Sequence, residues 1–319
     1  MRSKKCSRGS SEPSNKVVVL AGPTASGKSS LAVELSHRFN GEVVNADSMQ
    51  VYIGMDVGTA KPSSEEQKGI RHHMIDVVRP DEPFNAAIYR SRAIPVIKEI
   101  LGRGKACFLV GGTGLYIKAL LGGLLSCPPT DRRMREDLWR QFDEWGPEAL
   151  HRRLSALDPG SAKKIHPRDK VRVTRALEII QLTGQPLSTL AGGHRFEDRV
   201  FASFKICLQM EREDLYHRIN QRSLFMVEKG LVEETRGLMD QGYSPQLKPM
   251  KSLGYRHAVQ YLEGLWSLDR MIGELQKDTR RYAKRQLTWF RADPEMLWLS
   301  PDAGEMLVHE ISAFLREDG

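Results

Sequence analysis

Lys28 and Ser29 end the segment Gly22-Pro23-Thr24-Ala25-Ser26-Gly27-Lys28-Ser29, in which spaced glycines precede a lysine and a hydroxyl residue. The glycines let the backbone wrap so that N–H groups and a helix N-terminus face an anionic phosphate chain. Lys28 adds a point charge, and the Ser29 hydroxyl suits Mg²⁺. A glycine-rich turn without chemistry is the alternative, and the strand-like and helix-like flanks weigh against it. The same cradle serves kinases, ATPases and any enzyme that must hold a pyrophosphate, so nucleotide and ATP binding are its general expectation. Hydrolases of this type carry a Mg²⁺-organising Asp at the end of an apolar strand. Here the apolar run Cys107 to Val110 enters Gly111-Gly112-Thr113-Gly114 without a carboxylate, which lowers the case for an ATP-driven motor. Thr113 could contact phosphates at that turn, or the glycines could serve the backbone alone.

Asp47 follows a second apolar run. A carboxylate there could take a proton from a nucleophile, coordinate Mg²⁺ or cap the following turn. Gln50, with a donor and an acceptor, suits the edge of a nucleobase. Farther along, Arg218 and Arg222 are four apart and share a helix face, as a pyrophosphate clamp requires; pairing with Glu211, Glu213 and Asp214 is the bland reading. Lys248, Lys251 and Arg256 have no acidic neighbour in KPMKSLGYRH. Lys277 to Arg291 sets six cations against Asp278 beside Tyr282, Trp289 and Phe290. Cations interleaved with aromatics fit RNA, and Arg172 and Arg175 add to them, although a lone charge run is more often a solvated face.

The elements that must position these groups follow from periodicity. Lys16 to Leu20 reads as a buried parallel strand and Ser29 to Phe39 as an amphipathic helix; further strands are expected at Glu42 to Ala46, His73 to Val78 and Ala106 to Val110, with a helix over Ala86 to Leu101. That alternation predicts an α/β fold with a parallel sheet flanked by helices. Helix-like segments at Asp131 to Trp145, Pro147 to Ala156 and Asp169 to Leu182 without a strand between them predict a helical insertion. Phe201 to Leu208 returns to the sheet before a helical C-terminal part. The expected organisation is a disordered tail over 1–15, a core over 16–121 and 200–319, and an insertion domain over 122–199.

The chain has 319 residues, with 40% hydrophobic and 28% charged residues, a soluble globular composition. Cys6, Cys107, Cys127 and Cys207 form no C-x-x-C pair, so disulfide and zinc frameworks are unsupported and a reducing, cytoplasmic setting is expected. No apolar run is long enough for a membrane span, so no membrane partner is expected. The net charge of +8 is a poor guide to nucleic acid, because residues 1–16 carry +4 of it and residues 201–319 sum to −1. Local clusters carry the argument instead.

Assembled in order, GPTASGKS, NADSMQVY, GTAKP, HHMIDV, GGTGLY, RVTRALE, RxxLYxRIxxR, KSLGYR and KRQLTWFR make the chain resemble the tRNA dimethylallyltransferases (tRNA isopentenyltransferases) over nearly its whole length after the tail. Without a C-terminal Cys/His finger it is similar to the bacterial type. The resemblance implies a P-loop-type core with an insertion that closes on the tRNA anticodon stem-loop. It implies transfer of a dimethylallyl group from dimethylallyl diphosphate to N6 of the adenosine 3′-adjacent to the anticodon (position 37), aided by Mg²⁺ held by Ser29. Asp47, Lys28, Thr113 and Arg218 are then the expected catalytic set, with Gly22 to Ser29 and Arg222 on the diphosphate. The same resemblance assigns Asp47, Ser48, Met49, Gln50 and Thr113 to tRNA. It adds Val171, Arg172, Val173, Thr174 and Arg175, then Lys251, Ser252, Leu253, Gly254, Tyr255 and Arg256, then Lys284, Arg285, Gln286 and Arg291. A monomer is expected. The competing readings are a P-loop small-molecule kinase, an adenine-nucleotide isopentenyltransferase and a non-catalytic RNA-binding module.

Overall fold

The computed structural model describes residues 15–125, 127–193 and 199–316, so the expected tail, apart from Asn15, lies outside the described residues. The first half is built from Lys16–Ala21 (β1), Lys28–Arg38 (α1), Gly41–Asn45 (β2), Ser64–Gln67 (α2), His72–His73 (β3), Ala86–Gly102 (α3), Ala106–Gly111 (β4) and Gly114–Gly122 (α4). Then come Arg132–Trp145 (α5), Pro147–Leu157 (α6), Pro159–Ala162 (α7), Lys170–Thr183 (α8) and Leu187–Gly193 (α9). The chain continues through Ala202–Leu208 (β5), Arg212–Glu228 (α10), Leu231–Asp240 (α11), Tyr255–Leu262 (α12), Leu268–Phe290 (α13), Leu297–Leu299 (β6) and Gly304–Arg316 (α14).

Six described strands form one parallel sheet in the order β3-β2-β4-β1-β5-β6. The central strand β1 is apolar from Val17 to Ala21 because both faces are covered: Val17 and Val19 enter one core and Val18 and Leu20 the other. Connections run to one side of β1 as far as β4 and to the other side from β5. The carboxyl end of β1 therefore lies at the switch point where open α/β sheets bind ligands. The fold class is that of the expected P-loop-type α/β core.

The third strand, His72–His73, is shorter than the expected His73 to Val78. Of His73 to Val78, only His73 joins β3; Met74 and Asp76 adopt positive φ, which breaks the extended run, and Val78 returns as an isolated bridge to Tyr52. The short strand β6 and helix α4 were not expected. The chain divides into two compact units, Met1–Leu121 with Val200–Gly319, and Gly122–Arg199. The second is all helical among its described residues and has its own core of Leu138, Phe142, Leu150, Leu154, Val173 and Leu177.

Candidate active site

The glycine-rich segment turns from β1 into α1. Gly27 takes φ +86 at the helix N-cap, a conformation that disfavours a side chain, and Lys28 opens the helix. The N–H groups of that first turn have no intrahelical acceptor, which makes the turn a candidate anion site. Lys28 Nζ lies back against the loop, donating to Pro23 O at 2.6 Å. Burial and the neighbouring Arg222 guanidinium push its pKa from 10.5 down to about 8, against an upward pull from Asp47. From α10, Arg222 comes within 3.4 Å of Thr24 Oγ1, and Arg218 brings Nη1 to 3.9 Å from where a Cβ on Gly27 would stand. Both arginines therefore lie beside the loop, and Arg222 also lines the cavity described below.

At the end of β2, Asp47 does two things at once. Oδ1 accepts the N–H of Met49 at 2.8 Å, the turn-capping role its residue type favours. Oδ2 has no hydrogen-bond partner among the described residues and remains an acceptor. Thr113 ties this turn to the end of β4: its Oγ1 accepts the N–H of Ser48 at 3.0 Å and its own N–H donates to Ala46 O at 3.1 Å. Tyr282, from α13, lines the same cavity, and burial followed by the Asp47 charge raises its pKa well above the ordinary phenol range. Tyr282 counts in the sequence only as one aromatic of a cationic stripe; the structure places it in the site.

The glycines around Thr113 are required by close approach. None of Gly111, Gly112 and Gly114 has a positive φ. A Cβ on Gly112 would meet Gln286 Nε2 at 2.1 Å, and one on Gly114 would meet the Trp289 indole at the same distance. Helix α13 thus lies directly on this turn. Gln286 is the brace: Oε1 accepts the Thr24 N–H at 2.9 Å and Nε2 donates to Gly112 O at 3.0 Å. Each of its polar atoms makes one bond inside the protein, so Gln286 fixes the phosphate loop to β4 while also lining the cavity described below.

A cavity of about 310 Å³ joins these pieces. Thr24, Lys28 and Ser29 line one side; Asn45 and Asp47 to Gln50 line the β2 side; Arg222, Tyr282 and Arg285 reach in from α10 and α13; Ser252, Leu253 and Gly254 close another wall. Gln50 Nε2 donates to the carbonyls of Thr59 and Ala60 at 3.2 Å each. Its donor is therefore engaged by the chain, and its carbonyl oxygen is what it can offer a ligand.

Other expected contacts separate by exposure. Tyr255 is fully buried, with its hydroxyl on Glu234, and presents nothing to a partner. In the helical unit Val173 and Thr174 are buried, Thr174 bonding Lys170 O and Trp139 Nε1, while Val171 and Arg172 are exposed. Arg175 is held by Pro128 O and Glu178. Phe290 belongs to the core and is no stacking platform. Arg256, without an acidic neighbour in sequence, pairs with Asp278 from α13. Arg281 pairs with the same carboxylate and Lys277 with Glu274, so two of the six cations of the stripe are paired. Lys251, Lys284 and Arg291 stay exposed, Arg291 lying 5.9 Å from the Trp298 ring centroid.

The cavity brings the Asp47 carboxylate together with the cationic Lys28 and Arg222. A family model described as IPP transferase matches residues 50–293. The chain belongs to the IPP transferase family. A tRNA dimethylallyltransferase of Geobacter sulfurreducens is 52% identical over 284 residues, covering 89% of this chain and 91% of that relative. Among solved structures, the full-length tRNA isopentenylpyrophosphate transferase of Bacillus halodurans superposes with a TM-score of 0.69 at 42% identity, covering 94% of this chain and 96% of the other. A eukaryotic dimethylallyltransferase acting on tRNA gives a TM-score of 0.78 at 28% identity, over 93% of this chain and 77% of that one. This family member has, among its described residues, no helix long and apolar enough to cross a membrane.

Proposed function

We propose that this chain is a tRNA dimethylallyltransferase that moves a dimethylallyl group from dimethylallyl diphosphate to N6 of the adenosine 3′-adjacent to the anticodon. The observation that carries this reading is that one cavity is lined by Asp47 together with Lys28, Ser29 and Arg222. The acceptor adenine leaves its stack and enters beside Asp47 and Gln50. N6 then attacks the allylic carbon. As the C–N bond forms, the C–O bond to the diphosphate breaks with its electron pair on oxygen, and the N6 proton passes to Asp47 Oδ2. Charge growing on the leaving group meets the loop N–H groups, Lys28, Arg218 and Arg222, already in place before reaction. Thr113 holds the Asp47 turn through Ser48 and Ala46.

Mg²⁺ fits the donor set. The described residues contain no group of three His, Cys, Asp or Glu side chains that could cage a metal alone. Mg²⁺ is ordinarily held by one or two protein oxygens together with phosphate oxygens and water, and the Ser29 hydroxyl lining the cavity is such an oxygen. Bound there, it supplies charge neutralisation to the diphosphate. In the insertion unit, the exposed Val171 and Arg172 are assigned to the anticodon stem-loop, as are Lys251, Lys284 and Arg285.

Two other readings are separated by substrate. A small-molecule kinase needs no cationic, aromatic C-terminal part, and a free-nucleotide prenyltransferase needs no RNA surface. Incubation with labelled dimethylallyl diphosphate and, in parallel, unmodified tRNA, AMP or ATP is the test. Label entering RNA supports the proposal; label in AMP or ATP, or phosphate transfer from ATP without label in RNA, overturns it.

A further inference from the structure

We infer that Glu234, on α11, is a positioning residue that sets the acceptor side of the cavity by holding two of its walls to one carboxylate; this rests on the cavity being the prenyl-transfer site. Oε2 accepts the backbone N–H groups of Asp56 at 2.9 Å and Val57 at 2.8 Å. Oε1 accepts the Gly58 N–H at 3.1 Å and the Tyr255 hydroxyl at 2.5 Å. Three successive N–H groups turned on one anion form the kind of nest that otherwise holds a bound phosphate, and here a side chain fills it. Charge-assisted bonds are about twice as strong as neutral ones, so this node is stronger than the turn's own bonds.

Each wall leads to the cavity. Gly58 and Thr59 line it, and the carbonyls of Thr59 and Ala60 hold the Gln50 carboxamide, which sets where its free oxygen points. Lys61 secures the other end of the same loop, donating to Tyr52 O at 3.0 Å and Asp76 Oδ1 at 2.5 Å and pairing with Asp56. On the second wall, Ser252, Leu253 and Gly254 line the cavity immediately before Tyr255. The walls also interlock sterically, since a Cβ on Gly58 would stand 2.5 Å from the Tyr255 ring. Burial, with Glu234 beside it, raises the Tyr255 pKa far above the ordinary phenol range, so the hydroxyl remains a donor at every working pH. Glu234 bonds neither the phosphate loop nor Asp47 among the described residues, so its influence falls on the acceptor and not on the donor.

Glu234→Gln keeps the shape but turns an NH₂ group toward N–H groups that need an acceptor. The measurement is steady-state transfer, varying tRNA at saturating dimethylallyl diphosphate and the reverse, with amide hydrogen exchange on the full chain. The expected result is a roughly tenfold rise in KM for tRNA with KM for dimethylallyl diphosphate within twofold. Exchange at residues 56–58 should quicken while that of residues 22–29 does not. Tyr255→Phe, which removes one of the four bonds, should move the same KM by about threefold, and it decides the question if Glu234→Gln does not fold. Equal rises in both KM values, a fall in kcat alone, or wild-type behaviour would overturn the inference. A wild type that transfers no label to tRNA would refute the functional reading by itself, and unchanged exchange at residues 56–58 in Glu234→Gln would refute this inference independently.

Discussion

Replacing Gln286 with Leu keeps the side chain close to its size and removes both ends of the brace between the phosphate loop and β4. Gln286 is 6% exposed, so the groups it serves gain little from water. The Gly112 carbonyl is buried and would be left without its 3.0 Å donor, a loss of about 1–3 kcal/mol. The Thr24 N–H is only half-buried, so its loss belongs near the lower bound of that range. The total is about 3 kcal/mol. If the loop stays docked, the loss appears as destabilisation, and about 2–4 °C per kcal/mol for a unit of this size predicts a fall in Tm of about 6–12 °C. If the loop detaches instead, the same free energy appears as weaker binding of dimethylallyl diphosphate, up to about 100-fold in Kd. Calorimetry of the full chain, alone and titrated with dimethylallyl diphosphate, reads both. A Gln286→Leu protein with wild-type Tm and wild-type Kd would refute the brace.

Asp47→Asn preserves the acceptor for the Met49 N–H and removes the base, so tRNA affinity should stay within about threefold while single-turnover transfer falls by about 10²–10⁴; wild-type turnover would exclude Asp47 as proton acceptor. Lys28 gives a pH dependence of known sign. Its folded pKa of about 8 lies below the ordinary 10.5, so between those values the unfolded chain holds a proton that the folded chain has lost, and the Lys28 contribution to stability rises with pH across that window. A diphosphate favours the charged amine, so KM for dimethylallyl diphosphate should climb as pH passes about 8 and should lose that inflection in Lys28→Met; a profile flat from pH 7 to 9.5 in the wild type would contradict the assignment.

The phosphate loop was legible from eight residues because its chemistry is local: a strand, a glycine-freed turn and a helix N-terminus are all contiguous. The same holds for Arg218 and Arg222, which helix geometry alone sets on one side of α10. The brace and the acceptor walls were not legible, because Gln286 meets Thr24 across 262 positions of sequence and Glu234 meets Val57 across 177. Neither residue type announces such a partner. The charge clusters were legible only in part, for a related reason. Asp278 lies far from Arg256 in sequence yet neutralises it, so the absence of a neighbouring acid said little about the folded surface. Val173 and Tyr255 carry a motif's identity through packing, and a matched motif does not tell a core position from a contact. The overextended third strand failed at Met74 and Asp76, whose positive φ no apolar pattern signals.

The central claim is that one cavity joins adenine N6 to an allylic carbon. It is tested most directly by incubating the purified chain, unmodified tRNA, Mg²⁺ and dimethylallyl diphosphate, then digesting the RNA and mapping the product by mass spectrometry. The account predicts N6-dimethylallyl adenosine at the single position 3′-adjacent to the anticodon, with one diphosphate released per group transferred. Modification at another position or another atom of the base, or diphosphate released without modified RNA, would contradict it.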